Sequence, residues 1–140
     1  MKSFDEQLEH LVREAMAEDI GDGDHSTLSS IPADAVGKAV LKIKEEGVLA
    51  GVSVAAKIFR IQQADIKFLP FKKDGDQMHF GETAFEVEAL VHTILQCERI
   101  VLNCMQRMSG IATLTSMYTQ KLKGYHTRVL DTRKTTPNFR

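Results

Sequence analysis

The residues most ready for chemistry lie in "DTRKTTPNFR", Asp131 to Arg140. Arg133, Lys134 and Arg140 supply three cations, and Thr132, Thr135 and Thr136 supply three hydroxyls. An arginine fork grips a carboxylate through two hydrogen bonds, whereas lysine is a compact charge suited to phosphate. Each such charge-assisted bond is worth about 1.5 to 3 kcal/mol. The cluster suits a small substrate that carries both groups. Ordinary surface cations would have the same spacing, so spacing alone leaves both readings open.

A second set is Arg99, Asn103, Gln106 and Gly110, at i, i+4, i+7 and i+11. On a helix these share one face, polar and ending in a residue small enough to let another backbone come close. That pattern fits a solvated face, or a cation presented toward an anionic site or a neighbouring subunit. Two other candidates are weaker. "EDIGDGDHST" resembles a calcium loop in its carboxylates, but with Asp22 at the first position Ala33 would replace the closing glutamate and the glycine is misplaced. A structural turn, with Asp and Thr side chains serving local backbone groups, accounts for it. Cys97 and Cys104 are seven residues apart on one predicted helix, so they stand about 10 Å apart along its axis and cannot bond to each other without strain. They read as two thiols in a reducing compartment.

Several elements must position these groups. Phe4, Leu8, Leu11, Val12, Ala15 and Met16 follow helical spacing and predict a helix from Phe4 to Glu18, ended by Gly21 and Gly23. "EDIGDGDHST" then reads as a loop. Ala39, Leu41 and Ile43 alternate with Lys38, Lys42 and Lys44, a half-buried strand, followed by a turn at Gly47 and a short apolar strand. "VAAKIFRIQ" has helical spacing, whereas "DIKFLPF" and "TAFEVEAL" read as strands. A long helix is predicted over Thr93 to Lys123, closed by Gly124, after which "HTRVLDTRK" reads as a strand that Pro137 stops.

Composition narrows the class. The 140 residues suit one domain with a real core, and a 43% hydrophobic and 26% charged make-up is ordinary for a globular protein. Net charge is −1, without long runs of one sign, which disfavours a broad nucleic-acid surface. No apolar run is long enough for a membrane span, and the amphipathic, acidic start does not read as a signal peptide, so a cytoplasmic protein is expected.

Two stretches together, "CERIVLNCMQRMSGIAT" (Cys97 to Thr113) and "VLDTRKTTPNFR" (Val129 to Arg140), closely resemble the quinolinate phosphoribosyltransferases, or carboxylating nicotinate-nucleotide pyrophosphorylases, of NAD biosynthesis. "EDIGDGDHST" and "GVLAGV" resemble that family's amino-terminal signatures, and the likeness runs over essentially all 140 residues. The resemblance implies an α+β fold: a mixed-sheet amino-terminal domain with a long helix, residues 1–123, then the first strand and following loop of an α/β barrel, residues 124–140. A whole barrel takes about 250 residues and places its chemistry at the carboxyl ends of its strands. The resemblance therefore implies that most of the barrel lies outside these 140 residues and that the chain alone is inactive.

By the same resemblance, the reaction joins quinolinate to phosphoribosyl pyrophosphate with Mg2+, giving nicotinate mononucleotide, pyrophosphate and CO2. Arg133 corresponds to an arginine that contacts quinolinate, Lys134 to the adjoining catalytic lysine, and Thr132 to a contact through its hydroxyl or backbone. Arg99 corresponds to the arginine that family dimers insert into the neighbouring subunit's site, which implies a homodimer or higher homo-oligomer. No metal ligand is expected in this stretch; those are implied in the remainder of the barrel. Asn138 and Phe139 stand where many relatives have glycine and leucine. Two alternatives differ in class: a paralogous pyrophosphorylase acting on another pyridine or small acid, and a non-enzymatic biotinyl- or lipoyl-like module suggested by "KKDGDQMHFGETAFEVEA". The second lacks a lysine hairpin of the biotin or lipoyl type.

Overall fold

The computed structural model describes residues 3–132 and 134–135. Helix α1 (Phe4–Ile20) opens with a capping box, in which Ser3 and Glu6 exchange backbone and side-chain hydrogen bonds, and closes at Gly21 with φ 58°. Leu8, Val12, Ala15 and Met16 face the core, as their spacing predicts, but Phe4, in the first turn, is 75% exposed. The predicted loop that follows contains a six-residue helix, α2 (His25–Ser30). Asp24 caps it by accepting from the Thr27 N–H and hydroxyl, the local Asp–Thr service expected of this turn.

Strand β1 (Val36–Lys42) pairs antiparallel with β5 (Thr83–Leu90), and β5 pairs antiparallel on its other side with β3 (Lys67–Pro70). Ala39, Val87 and Phe68 lie across one face of this sheet and turn toward the core. Lys38, Glu88 and Lys67 lie across the other, where Lys67 reaches Glu88 at 2.6 Å and Lys38 reaches Glu86 at 2.9 Å. A separate two-stranded ladder joins β2 (Gly47–Val48) to β4 (Gln77–Met78). Helices α3 (Val52–Gln62) and α4 (Val91–Lys121) pack against the inner face, around Ile58, Val87 and Cys97, which are essentially solvent-free. Phe59, Phe68 and Phe85 form a ring cluster with centroids 4.6 to 6.3 Å apart.

The architecture is α+β, as expected, with all three described strand pairings antiparallel. A further prediction differs: residues 127–132, read as a strand in "HTRVLDTRK", form none and are exposed. A strand needs a neighbour to take its backbone groups, and among the described residues nothing pairs with this stretch. At 31 residues α4 is about 46 Å long, and it carries the chain from the packed sheet to this segment.

Candidate functional site

Two family-like stretches interlock at the middle of α4. The Ser109 hydroxyl accepts from the Ala50 N–H at 3.0 Å and donates to the Ala50 carbonyl at 3.1 Å, while Thr113 Oγ1 accepts from the Val48 N–H at 2.9 Å. The hydroxyls of "MSGIAT" thus hold "GVLAGV" flat on the helix. Gly51, at φ 102°, sits so close that a Cβ there would lie 3.1 Å from Met105 Cγ and 3.3 Å from Met105 Cα. The same loop starts α3, whose first turn has no cap of its own; Asp74 supplies one from the β3–β4 connection. Its carboxylate accepts from the N–H groups of Gly51 and Val52 at 2.7 Å, of Ser53 at 3.3 Å, and from the Ser53 hydroxyl at 2.6 Å. Partial burial opposes that charge, but the Ser53 hydroxyl and the three N–H groups outweigh it and hold the Asp74 carboxyl below its ordinary range.

The polar stripe of α4 faces outward: Arg99, Asn103, Gln106 and Gly110 are all exposed, and nothing stands within 4 Å of a Cβ built on Gly110. Within the chain it is a solvated face, and the close approach that Gly110 permits is not used. Arg99 does have a partner. Its Nη1 donates to Asp19 Oδ1 at 2.5 Å, across from the end of α1. Both residues line a cleft of about 600 Å³ between α1 and α4, floored by Leu8, Val12 and Ile100, and a smaller one of about 370 Å³ beside Asp24 and His25. A guanidinium has five N–H donors, so a single carboxylate oxygen leaves most of its fork available to an anion.

Thr132 and Lys134 are exposed, and the Lys134 N–H donates to Thr132 Oγ1 at 3.2 Å, a local turn that sets their relative placement. Arg133 lies outside the described residues. Among those that are described, no hydrogen bond or ion pair joins residues 127–135 to Arg99. Among the described residues, the predicted site residues are not gathered into one pocket. The structure presents Arg99 on the side of α4 and Thr132 and Lys134 past the helix's end.

The thiols are chemically quiet: both are free, and burial pushes Cys97 up to about 12 and raises Cys104 as well. Among the described residues no group of three or more His, Cys, Asp or Glu could hold a metal ion, and no helix is long and apolar enough to cross a membrane. In the β3–β4 connection, Lys72 is tied to Glu82 at 2.8 Å and to the Gln77 carbonyl at 2.9 Å, unlike a lysine offered for modification.

Residues 24–109 match the model of the quinolinate phosphoribosyl transferase amino-terminal domain. The chain belongs to this family. Residues 111–140 match the same family's carboxyl-terminal domain model, so the two matches meet inside α4. A probable nicotinate-nucleotide pyrophosphorylase (carboxylating) of Bacillus subtilis is 38% identical over 134 residues, 96% of this chain and 46% of that protein. The chloroplastic nicotinate-nucleotide pyrophosphorylase (carboxylating) of rice is 40% identical over 95% of this chain and 36% of its own length. The crystal structure of NadC from Streptococcus pyogenes superposes with a TM-score of 0.91 at 36% identity, covering 99% of this chain and 49% of that one. The chain therefore spans less than half the length of these curated relatives and about half of that solved structure.

Sequence reasoning missed Asp19. Its partner is 80 positions away, so no periodicity links them. The available signal was a carboxylate near the end of α1, where the dipole disfavours it and the last turn has no basic residue to offset it.

Proposed function

We propose that this chain is the amino-terminal part of a pentosyltransferase that converts quinolinate and phosphoribosyl pyrophosphate to nicotinate mononucleotide, pyrophosphate and CO2. The observation that carries the reading is the match of both family domains, in order, along one chain. The similar proteins of rice and Bacillus subtilis bear the corresponding activity in their names.

The chemistry assigns work to the exposed cations. The pyridine nitrogen bonds to the ribose carbon as the carbon–oxygen bond to pyrophosphate breaks; the adjacent carboxylate then leaves as CO2, and a proton takes its place on the ring. Arg133 and Arg99 bind and orient the carboxylates, Lys134 supplies a compact charge at the reacting groups, and Thr132 contributes a hydroxyl. Arg99 acts in the site of a neighbouring copy, which makes the working unit at least a homodimer. The outward stripe ending at the open Gly110 supports this, as does the exposed row Ile111, Leu114 and Met117 farther along α4. Residues 1–123 form the amino-terminal domain and 124–140 the opening strand and loop of the barrel, a strand whose pairing partners belong to the remainder of that barrel.

Mg2+ accompanies phosphoribosyl pyrophosphate in this reading. The described residues have no cluster of ligands that fits it. Cytoplasmic placement is part of the proposal, and the two free cysteines suit a reducing compartment.

The test is an assay of the complete enzyme containing this chain, with quinolinate or nicotinate and phosphoribosyl pyrophosphate. Nicotinate mononucleotide and CO2 from quinolinate support the reading. Turnover of nicotinate alone would move the protein to a paralogous activity, and turnover by the purified 140-residue chain would overturn the division of labour.

A further inference from the structure

We propose that Asp19 is a positioning residue for Arg99, fixing its guanidinium in the pose from which it meets an anionic substrate. The inference rests on Arg99 being a substrate-binding cation, as proposed above.

The two partners are unequal in a telling way. The Arg99 side chain is 70% exposed, whereas Asp19 is 22% exposed and stands on a helix anchored by the buried Val12 and Met16. The fixed partner is the carboxylate, and the long flexible one is the cation. Asp19 also sits where a carboxylate is poorly placed for helix stability, in the last turn of α1. Another ion pair within α1 is local, Arg13 to Glu9 four residues back. Asp19 instead reaches 80 positions along the chain to α4. A carboxylate unfavourable for its own helix, partly withdrawn from solvent and committed to one exposed arginine, fits a role at the site better than a role in folding.

The contact geometry suits that role. Asp19 engages Nη1, leaving Nε and Nη2 to form a two-pronged grip on a carboxylate or phosphate. An unpaired arginine would have to surrender its rotamer freedom each time it bound substrate; one held at its far end has surrendered it already. Asp19 itself, being an anion, touches the substrate nowhere and acts through Arg99.

The experiment is a double-mutant cycle in the complete enzyme containing this chain. Asp19→Asn, Arg99→Ala and the double variant are compared by kcat and KM for quinolinate and phosphoribosyl pyrophosphate, with thermal midpoints measured alongside. The Asn variant keeps the shape of the side chain and loses its charge. The expected result is a loss of roughly tenfold in kcat/KM for Asp19→Asn, a larger loss for Arg99→Ala, and no further loss when the two are combined. Unchanged kcat/KM in Asp19→Asn overturns the proposal, and so does the same factor lost again on top of Arg99→Ala, which would mark an effect on the fold at large. Unchanged activity in Arg99→Ala would instead remove the substrate role of Arg99, and the positioning role with it.

Discussion

Removing the Asp74 carboxylate should loosen the junction on which the α4 motifs rest. Asp74→Ala leaves three N–H groups of the α3 first turn and the Ser53 hydroxyl without their acceptor. Loss of an N-cap costs about 0.5 to 2 kcal/mol. One carboxylate here serves three N–H groups, which argues for the top of that range; its solvent-exposed flank, where water can substitute, argues against exceeding it. We expect about 2 kcal/mol for Ala and about 1 kcal/mol for Asn, which keeps one oxygen acceptor. In urea, with a slope near 1.5 kcal/mol/M, about 2 kcal/mol lowers the unfolding midpoint by about 1.3 M. The effect must also depend on pH. The Asp74 carboxyl is held below its ordinary value of 3.8, so its contribution is fully present above that value and is lost as pH falls through the lower, folded-state value. The gap between wild type and Asp74→Ala should therefore be widest near neutrality and shrink in acid. An unchanged midpoint at pH 7, or a gap that persists undiminished to about pH 2, would refute the assignment of Asp74 as the charged cap of α3.

Other expectations concern glycines and thiols. Gly51→Ala combines a left-handed backbone with a Cβ 3.3 Å from the Met105 backbone and should cost about 2 to 3 kcal/mol in a thermal melt. Gly110→Ala, in open space within a helix, should stabilise the isolated chain by about 0.5 to 1 kcal/mol, while weakening the oligomer if a neighbouring copy packs on that face. Cys97, pushed up to about 12 by burial, should escape iodoacetamide at pH 8 in the folded protein and react once urea unfolds it; peptide mapping reads the difference, and rapid labelling of the native thiol would contradict its burial.

Periodicity revealed α1, β1, α3, β5 and α4, because each buries one face against the same core and repeats its apolar residues at the matching interval. β2 and β3 were also read as strands, but two short elements escaped. Helix α2 has six residues, too few for a stripe, and owes its turn to the Asp24 cap; β4 has two and exists through its ladder with β2. "HTRVLDTRK" carries the apolar pattern of a strand, but strand formation is a property of pairs, and no described residue pairs with 127–132. At the candidate site, residue types and family likeness pointed to Arg99, Thr132 and Lys134, and the structure exposes all three. The pairing of Asp19 with Arg99 was not legible because that contact belongs to the packing of α1 beside α4. The roles of Asp74, Ser109 and Thr113 were hidden for the same reason: each serves backbone groups more than twenty positions away along the chain.

The central claim, a phosphoribosyltransferase site shared between copies, is tested most directly by mixing two inactive variants of the complete enzyme. In the proposed reading, Arg99→Ala removes the cation lent to the neighbour, and Arg133→Ala removes one from the barrel side. Random reassortment of a dimer makes about half of the assemblies mixed, each with one intact site of two, so about a quarter of wild-type nicotinate mononucleotide formation should return. Recovery at that level would confirm that Arg99 works in its partner's site, and no recovery after verified subunit exchange would contradict it.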